Sequence, residues 1–90
     1  MDPQHAAPYT IRDDVLTAHL AGEAVLLDLK TKQYYQLNAT AALIWKGLEQ
    51  ALEPPRIADA LVHEFAVDAA TAQREIERVI ADLRARGLIV

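Results

Sequence analysis

The three histidines are the side chains of this sequence that could most directly bind a metal ion. They occur at His5, His19 and His63, and no spacing among them would place two on one metal. His63-Glu64 matches the first half of the H-E-x-x-H zinc helix, but the second ligand position is occupied by Val67. The pair is therefore expected to lie on the surface of a helix, and no metal site is predicted.

The chain also offers little for covalent catalysis. It contains no serine and no cysteine, which are the two commonest nucleophiles. Its three glycines are isolated at Gly22, Gly47 and Gly87, so the sequence has no glycine-rich phosphate loop. The acidic residues are spread along solvent faces, near arginines at a spacing of about four residues. We therefore predict a protein that is not an enzyme and needs no cofactor.

The length and composition suit one small domain. Ninety residues that are 52% hydrophobic can form one globular core but not two. We expect a single domain over residues 1–90, with Met1–Pro8 disordered because this segment holds two prolines and few groups that could pack. Without cysteine or a cysteine and histidine cluster, the stability of the fold must come from packing alone.

The net charge of −4 and the short apolar runs argue against several kinds of partner. Nine Lys and Arg against thirteen Asp and Glu weaken attraction to a phosphate backbone or an anionic membrane. The longest apolar runs, such as Ala24–Leu27, are far shorter than the ~20 residues needed to span a bilayer. The N-terminus lacks the basic start and apolar stretch of a secretory signal. We therefore expect a cytoplasmic protein that binds neither nucleic acid nor membrane.

Three short segments rich in branched apolar or aromatic residues predict strands. They are Val15–His19, Ala24–Leu29 and Gln33–Leu37, separated by a turn at Gly22 and by a polar break. Segments so close together favour a three-stranded antiparallel meander. Because side chains alternate along a strand, we expect one core-facing set on each of the last two strands. These sets are Val25, Leu27 and Leu29 on the second strand, and Tyr35 and Leu37 on the third.

Capping signals and the helical spacing of apolar residues predict three helices after the strands. Asn38 can cap a first helix over Ala39–Leu52, and the two prolines that follow suit the start of a second over Pro55–Phe65. Asp68 can cap a third helix over Ala69–Ala85, which ends just before a glycine. Strands followed by segregated helices give an α+β fold, and the size suits a winged helix-turn-helix-like domain.

The third predicted strand offers a binding surface, because one of its edges has no neighbour in the meander. The backbone donors and acceptors of this edge are open to an extended peptide. Lys30 and Lys32 beside the edge can alternatively serve as protection against aggregation. Five candidate peptide-binding residues lie on this strand: Gln33, Tyr34, Tyr35, Gln36 and Leu37.

The segment Tyr34–Trp45 reads YYQLNATAALIW; VLLD precedes it at Val25–Asp28, and two further helices ending in LRARGLI follow it. This pattern resembles the PqqD-like family, whose members are recognition elements for ribosomally made, post-translationally modified peptides. The resemblance covers the chain from about Val15 to the C-terminus. It implies a winged helix-turn-helix-like domain that binds the leader of a precursor peptide as a strand added to the third strand, against the third helix.

Within the family, the Tyr-Tyr and Ile-Trp pairs of this chain favour the small proteins of lasso-peptide clusters over those of pyrroloquinoline quinone synthesis. The resemblance therefore implies a non-catalytic adaptor that presents a precursor peptide to a leader peptidase or another modifying enzyme. The quinone type, which partners a radical enzyme, is one alternative. A winged-helix DNA-binding regulator and a small dimer that pairs through the same edge are two others, and the negative net charge argues against the regulator.

A groove between the third strand and the third helix has to supply specificity, because backbone pairing roughly offsets the cost of ordering a peptide. We expect the small Ala72 to leave room for a pocket in this groove. Glu75 and Asp82 either select a basic leader residue or only solubilise the helix, and Val79 belongs either to the groove or to the core. The candidate peptide-binding residues on the helix are Ala72, Glu75, Ile76, Val79, Asp82 and Leu83.

Overall fold

The computed structural model describes residues 9–90, which form a three-stranded sheet followed by three helices. The strands and helices are β1 Val15–Leu20, β2 Glu23–Asp28, β3 Gln33–Leu37, α1 Ala39–Glu49, α2 Pro54–Phe65 and α3 Ala69–Ala85. The predicted α+β order is confirmed, and the predicted bounds of β3 and α3 match the structure. The segment Met1–Pro8, for which we predicted disorder, lies outside the described residues.

The sheet is an antiparallel meander in the order β1-β2-β3, held by two turns. Ala21 and Gly22 form the first turn, and both have a positive φ, 49° and 82°, as a two-residue hairpin turn of the primed type requires. The second turn is held by the carboxylate of Asp28. Its Oδ1 accepts hydrogen bonds from the backbone N–H groups of Lys30 at 2.9 Å and Thr31 at 3.3 Å. These turns fix the register of the three strands.

The predicted core face of β2 is wrong, because the opposite set of side chains points inwards. Ala24, Leu26 and Asp28 are fully buried. Both faces of this strand carry apolar residues, so its alternation is weak, and an aspartate ordinarily marks the outer face. Here the aspartate is buried in an ion pair instead. The residues that we expected in the core lie on the outer face or past the end of the strand: Val25, Leu27 and Leu29.

The predicted orientation of β3 is confirmed. Leu37 is buried and Tyr35 is half-buried on the inner face, where Tyr35 pairs with Leu26 of β2. Tyr34 and Gln36 point to the outer face and are exposed. The inner face of this strand therefore contributes Tyr35 and Leu37 to the core, and its outer face presents Tyr34 and Gln36 to solvent.

α1 begins after its Asn38 cap, as predicted, but ends at Glu49 rather than Leu52. Ala51 adopts a left-handed conformation with φ 59°, and the N–H of Leu52 donates to the carbonyl of Gly47 at 2.9 Å. Such a left-handed residue closes the C-terminus of a helix and turns the chain. Leu52 thus fits the helical spacing of apolar residues, which is why the helix was predicted to reach it, but it lies beyond the end of α1.

Gly47 lies where α1 packs against α2. A Cβ at this position would lie 2.7 Å from Cγ1 and 3.0 Å from Cδ1 of Ile57, closer than normal contact. The sequence leaves open whether this glycine marks a close contact or is merely tolerated, and the structure shows the close contact. Only glycine lets the two helices approach this closely without displacing Ile57.

The core lies between the inner face of the sheet and the three helices. Trp45 is fully buried, and its Nε1 donates to Oγ1 of Thr17 at 2.9 Å, which ties α1 to β1. The side chain of Asp68 accepts the backbone N–H of Thr71 at 2.7 Å and caps α3 as predicted. The buried stripe of α3 consists of Ala72, Ile76, Val79, Ile80 and Leu83.

The C-terminal segment packs beside the first described residues. Ile11 and Ile89 form an antiparallel bridge, and Thr10 and Val90 exchange two backbone hydrogen bonds of 3.1 and 2.9 Å. Leu88 and Ile89 are buried. The end of the chain beyond α3 is therefore held in place next to the sheet.

Candidate functional site

β3 is an edge strand with one free side. It pairs with β2 over its whole length, and no other strand among residues 9–90 pairs with its far side. An edge of this kind presents unpaired backbone N–H and C=O groups. Gln33, Tyr34 and Gln36 are exposed along it. The backbone of β3 is therefore available to an incoming extended segment.

A cavity of about 240 Å³ separates β3 from the C-terminal end of α3. We call this cavity the edge groove. The structure thus brings four of the five predicted strand residues together with two of the predicted helix residues, adding two that we did not predict. Its lining residues are Tyr34, Tyr35, Gln36, Leu37, Asp82, Leu83, Arg86 and Leu88.

The mouth of the edge groove is formed by Tyr35 and Arg86. The guanidinium carbon of Arg86 lies 5.1 Å from the centre of the Tyr35 ring, a cation–π distance. Nε of Arg86 also donates to Oδ2 of Asp82 at 3.0 Å, and the hydroxyl of Tyr35 donates to Oε1 of Gln33 at 2.7 Å. These contacts hold an aromatic ring, a cation and an anion side by side at the entrance.

Four of the six predicted helix residues do not line the edge groove: Ala72, Glu75, Ile76 and Val79. Ala72, Ile76 and Val79 are 0%, 3% and 5% exposed and pack within the core. We expected them in the groove because the resemblance places the leader against the third helix, whose apolar stripe contains them. That stripe is drawn to the main core instead, since burial there removes more apolar surface from water. Val79 is therefore a core residue.

The wall of α3 beside the groove carries alternating charges. At about 100° per residue, positions 75, 78, 82 and 86 fall within an arc of about 80° on the flank that holds Asp82 and Arg86. Nη2 of Arg78 lies 2.7 Å from Oε1 of Glu75. This hydrogen bond lowers the pKa of Glu75 and raises that of Arg78. We call these four residues the charge ladder.

The sequence interpretation named Glu75 and Asp82 and missed their arginine partners. Arg78 follows Glu75 by three positions and Arg86 follows Asp82 by four. Those spacings place side chains together on a helix. The signal was therefore in the sequence, but a charged pair on an exposed helix ordinarily has no role beyond solubility.

An ion pair joins Arg12 to the fully buried side chain of Asp28. Nη2 of Arg12 lies 2.8 Å from Oδ1 of Asp28, while Nη1 donates to the carbonyl of Gly87 at 2.7 Å. The hydrogen bonds from Arg12, followed by those from the backbone of Lys30 and Thr31, lower the pKa of Asp28 to about 2 despite its burial. Arg12 therefore ties the turn before β3 to the segment after α3.

The outer face of the sheet is unusually apolar. Leu16 pairs with Leu27, and Leu27 pairs with Tyr34, so one row of large side chains crosses all three strands. Leu16, Leu20 and Tyr34 are 53%, 60% and 72% exposed. The solvated face of an antiparallel sheet is ordinarily polar, and an exposed apolar patch marks a contact surface. We call this row, with Leu20, the outer sheet patch.

A larger cavity of about 460 Å³ lies away from the β3 edge. It is formed by the β1–β2 turn, α1 and the end of α2. Nε2 of His19 on its rim lies 2.7 Å from Oε1 of Glu49. Its lining includes one residue of β1, His19, but no residue of β3. The residues that line it are His19, Gly22, Glu23, Ala39, Ala42, Leu43, Lys46, Glu64 and Phe65.

The described part of the chain has neither a cluster of metal-binding side chains nor a membrane-spanning helix. Residues 9–90 contain no group of three or more His, Asp or Glu side chains that could hold a metal ion. Within the same range, no helix is long and apolar enough to cross a membrane.

A three-stranded meander, three helices and a free strand edge beside a groove define a class of small α+β domain that can accept a peptide as an added strand. The chain belongs to the PqqD family. The profile of that family, described as coenzyme PQQ synthesis protein D, matches residues 23–89. The predicted resemblance is thereby confirmed. No match was found among curated proteins.

Two solved structures are similar to this chain. One is TbiB1 in complex with the TbiA(beta) leader peptide, with a TM-score of 0.83 and 36% identity, covering 89% of this chain and 93% of TbiB1. The other is a lasso peptide synthetase B1 complexed with the leader peptide, with a TM-score of 0.83 and 32% identity. That match covers 93% of this chain and 99% of the synthetase B1 chain.

Proposed function

We propose that this protein is a non-catalytic adaptor that binds the leader of a ribosomal precursor peptide and presents it to a maturation enzyme. The enzyme we propose is a leader peptidase of lasso-peptide biosynthesis. The observation that carries the proposal is the free β3 edge beside the edge groove. It occurs in a chain similar over most of its length to two proteins solved with a leader peptide.

The edge groove suits a peptide strand because it combines backbone pairing with side-chain selection. Each added backbone hydrogen bond contributes about 0.5–1.5 kcal/mol, whereas ordering each peptide residue costs about 1–2 kcal/mol. Pairing alone therefore gives little net affinity. A large apolar side chain buried in the groove, against Leu37 and Leu83, adds about 1.5–3 kcal/mol. Affinity then depends on a leader that places such a residue on its groove-facing side.

An adaptor needs a second surface for the enzyme, and the outer sheet patch fits that role. A leader strand added to β3 extends the same sheet, so its outward side chains lie beside Tyr34 and continue the patch. The enzyme would then meet an apolar surface made partly by the adaptor and partly by the substrate. This arrangement favours recruitment of the enzyme to the loaded adaptor over the empty one.

A second candidate function is the pyrroloquinoline quinone type, in which the adaptor serves a radical enzyme. The description of the matching family favours it. The two similar solved structures, at 36% and 32% identity, favour the lasso type. We therefore retain the leader peptidase as the proposed partner.

The test is a selection from a displayed library of variants of the TbiA(beta) leader, followed by amide hydrogen exchange with the best binder. We expect micromolar or tighter binders, and we expect protection to rise at amides of residues 33–37. A scrambled version of the selected peptide is the control. Enrichment of no peptide, or protection confined to the cavity beside His19, would contradict strand addition at β3.

A further inference from the structure

We propose that the Asp82 and Arg86 pair fixes the register of the bound leader by reading two opposite charges on it. This inference rests on the proposed function, since it requires a peptide strand on β3. The leader it selects carries an acidic residue facing Arg86 and a basic residue facing Asp82. These two leader residues lie two positions apart, on the side of the strand that faces α3.

The pair is accessible at the entrance of the edge groove. Both side chains line the cavity, and they are 54% and 47% exposed for Asp82 and Arg86. Arg86 is also held over the ring of Tyr35, which is part of the strand to be extended. Its charge is therefore directed at the position where a peptide on β3 must pass.

The spacing of the pair matches an extended peptide. Four residues of an α-helix advance about 6.0 Å, and two residues of a strand advance about 6.6–6.8 Å. Residues 82 and 86 can therefore face successive side chains on one side of a strand. The match continues one turn earlier at Arg78, whose pKa is raised chiefly by its hydrogen bond to Glu75 and to a smaller extent by the charge of Asp82.

The energetics allow the pair to exchange partners. An exposed salt bridge between residues four apart contributes little to stability, so opening it for a ligand costs little. A bound peptide covers the pair and removes water from it, after which an unmatched charge becomes unfavourable. A leader shifted by one residue would turn its charged side chains away from α3, so the pair discriminates against that register.

The experiment compares the parent with the swapped variant Asp82→Arg/Arg86→Asp, which keeps the net charge. Each is used to select from the library of TbiA(beta) leader variants, randomised for charge. Two peptides with the enriched charges in forward and reversed order are then titrated by fluorescence anisotropy. We expect the parent to prefer one order by about fivefold and the swapped variant to prefer the reverse order by a similar factor.

The matched control is the swap Arg74→Glu/Glu77→Arg, on the side of α3 that faces away from the edge groove. It also leaves the net charge unchanged, and it should keep the preference of the parent. The variant Asp82→Asn/Arg86→Gln keeps the shape of the pair without its charges, and it should bind both orders equally. Circular dichroism establishes that each variant is folded before titration.

The outcomes separate this inference from the proposed function. Binding by the parent and the swapped variant with the same charge preference, or with none, would overturn the register inference and leave strand addition standing. A parent that selects no peptide would overturn both. A reversed preference in the swapped variant, with an unchanged preference in the control, supports both.

Discussion

Arg12 and Asp28 are sixteen positions apart, and their side chains make two hydrogen bonds, Nη2 to Oδ1 at 2.8 Å and Nη1 to Oδ2 at 3.2 Å. The side chain of Asp28 is fully buried, whereas that of Arg12 is 20% exposed. Because Asp28 also caps the β2–β3 turn, the pair positions the start of the proposed binding strand. Its removal should affect both the stability of the fold and the shape of the groove.

Asp28→Asn should lower the melting temperature by at least about 5 °C, because it leaves the Arg12 charge without its buried partner. The control is Asp14→Asn, since Asp14 also contacts Arg12 at 2.8 Å but is 44% exposed. It should shift the melting temperature by no more than about 2 °C. Thermal denaturation followed by circular dichroism at pH 7 measures both. Equal shifts of the melting temperature in the two variants would show that burial of the Arg12 and Asp28 pair does not affect stability.

The same carboxylate predicts a dependence of stability on pH. The folded-state pKa of Asp28 is lowered from 3.8 to about 2, chiefly by the hydrogen bonds from Arg12. Its contribution to stability is therefore fully present above pH 3.8 and is lost as the pH falls towards 2. Urea denaturation between pH 5 and pH 2 should show this loss in the parent and a smaller one in Asp28→Asn. If the free energy of unfolding fell equally with pH in the parent and in Asp28→Asn, the loss of stability could not be assigned to Asp28.

Gly47→Ala should destabilise the protein by about 1–3 kcal/mol, although alanine favours a helix by about 1 kcal/mol. The reason is the 2.7 Å approach of the added Cβ to Cγ1 of Ile57. Ile57→Ala removes that atom, so the double variant should be more stable than the sum of the single effects indicates. Urea denaturation of the three variants measures the coupling, and strict additivity would argue against the contact.

Single proline substitutions at the adjacent positions Gln33 and Tyr34 should distinguish the side of β3 that pairs with β2 from its free side. Backbone N–H groups alternate between the β2 side and the free side, so each proline removes a donor from a different side. One variant should lose the sheet, and the other should keep its fold while binding the selected leader peptide at least about fivefold more weakly. Two folded variants with parental affinity in fluorescence anisotropy would exclude strand addition.

Leu16→Asp tests the outer sheet patch apart from the edge groove. Leu16 is 53% exposed on β1, the strand farthest from β3, so the variant should fold and bind the selected leader as the parent does. It should reduce copurification with the proposed partner, a lasso-peptide leader peptidase, by about tenfold, because it places a charge in the proposed contact. If Leu16→Asp copurified with the peptidase as the parent does but had a lower mass in solution than the parent, the patch would be assigned to a homodimer interface instead.

Local signals in the sequence were sufficient to predict the order of the elements and several of their ends. The cap at Asp68 and the glycine at 87 bound α3, and Asn38 separates β3 from α1. These signals act between residues close in the chain, through backbone hydrogen bonds that form whatever the distant packing. The free edge of β3 followed from the same information, because a third strand at the end of a meander has one neighbour.

The inner face of β2 and the true wall of the groove were decided only by the tertiary structure. The strand Glu23–Asp28 has apolar side chains on both faces, and Asp28 is buried because Arg12 reaches it from another part of the chain. Likewise, the sequence shows that α3 has one apolar stripe but cannot show which neighbour covers it. Packing directs Val79 into the core and leaves Arg86 beside β3, because a helix can bury its stripe on only one side.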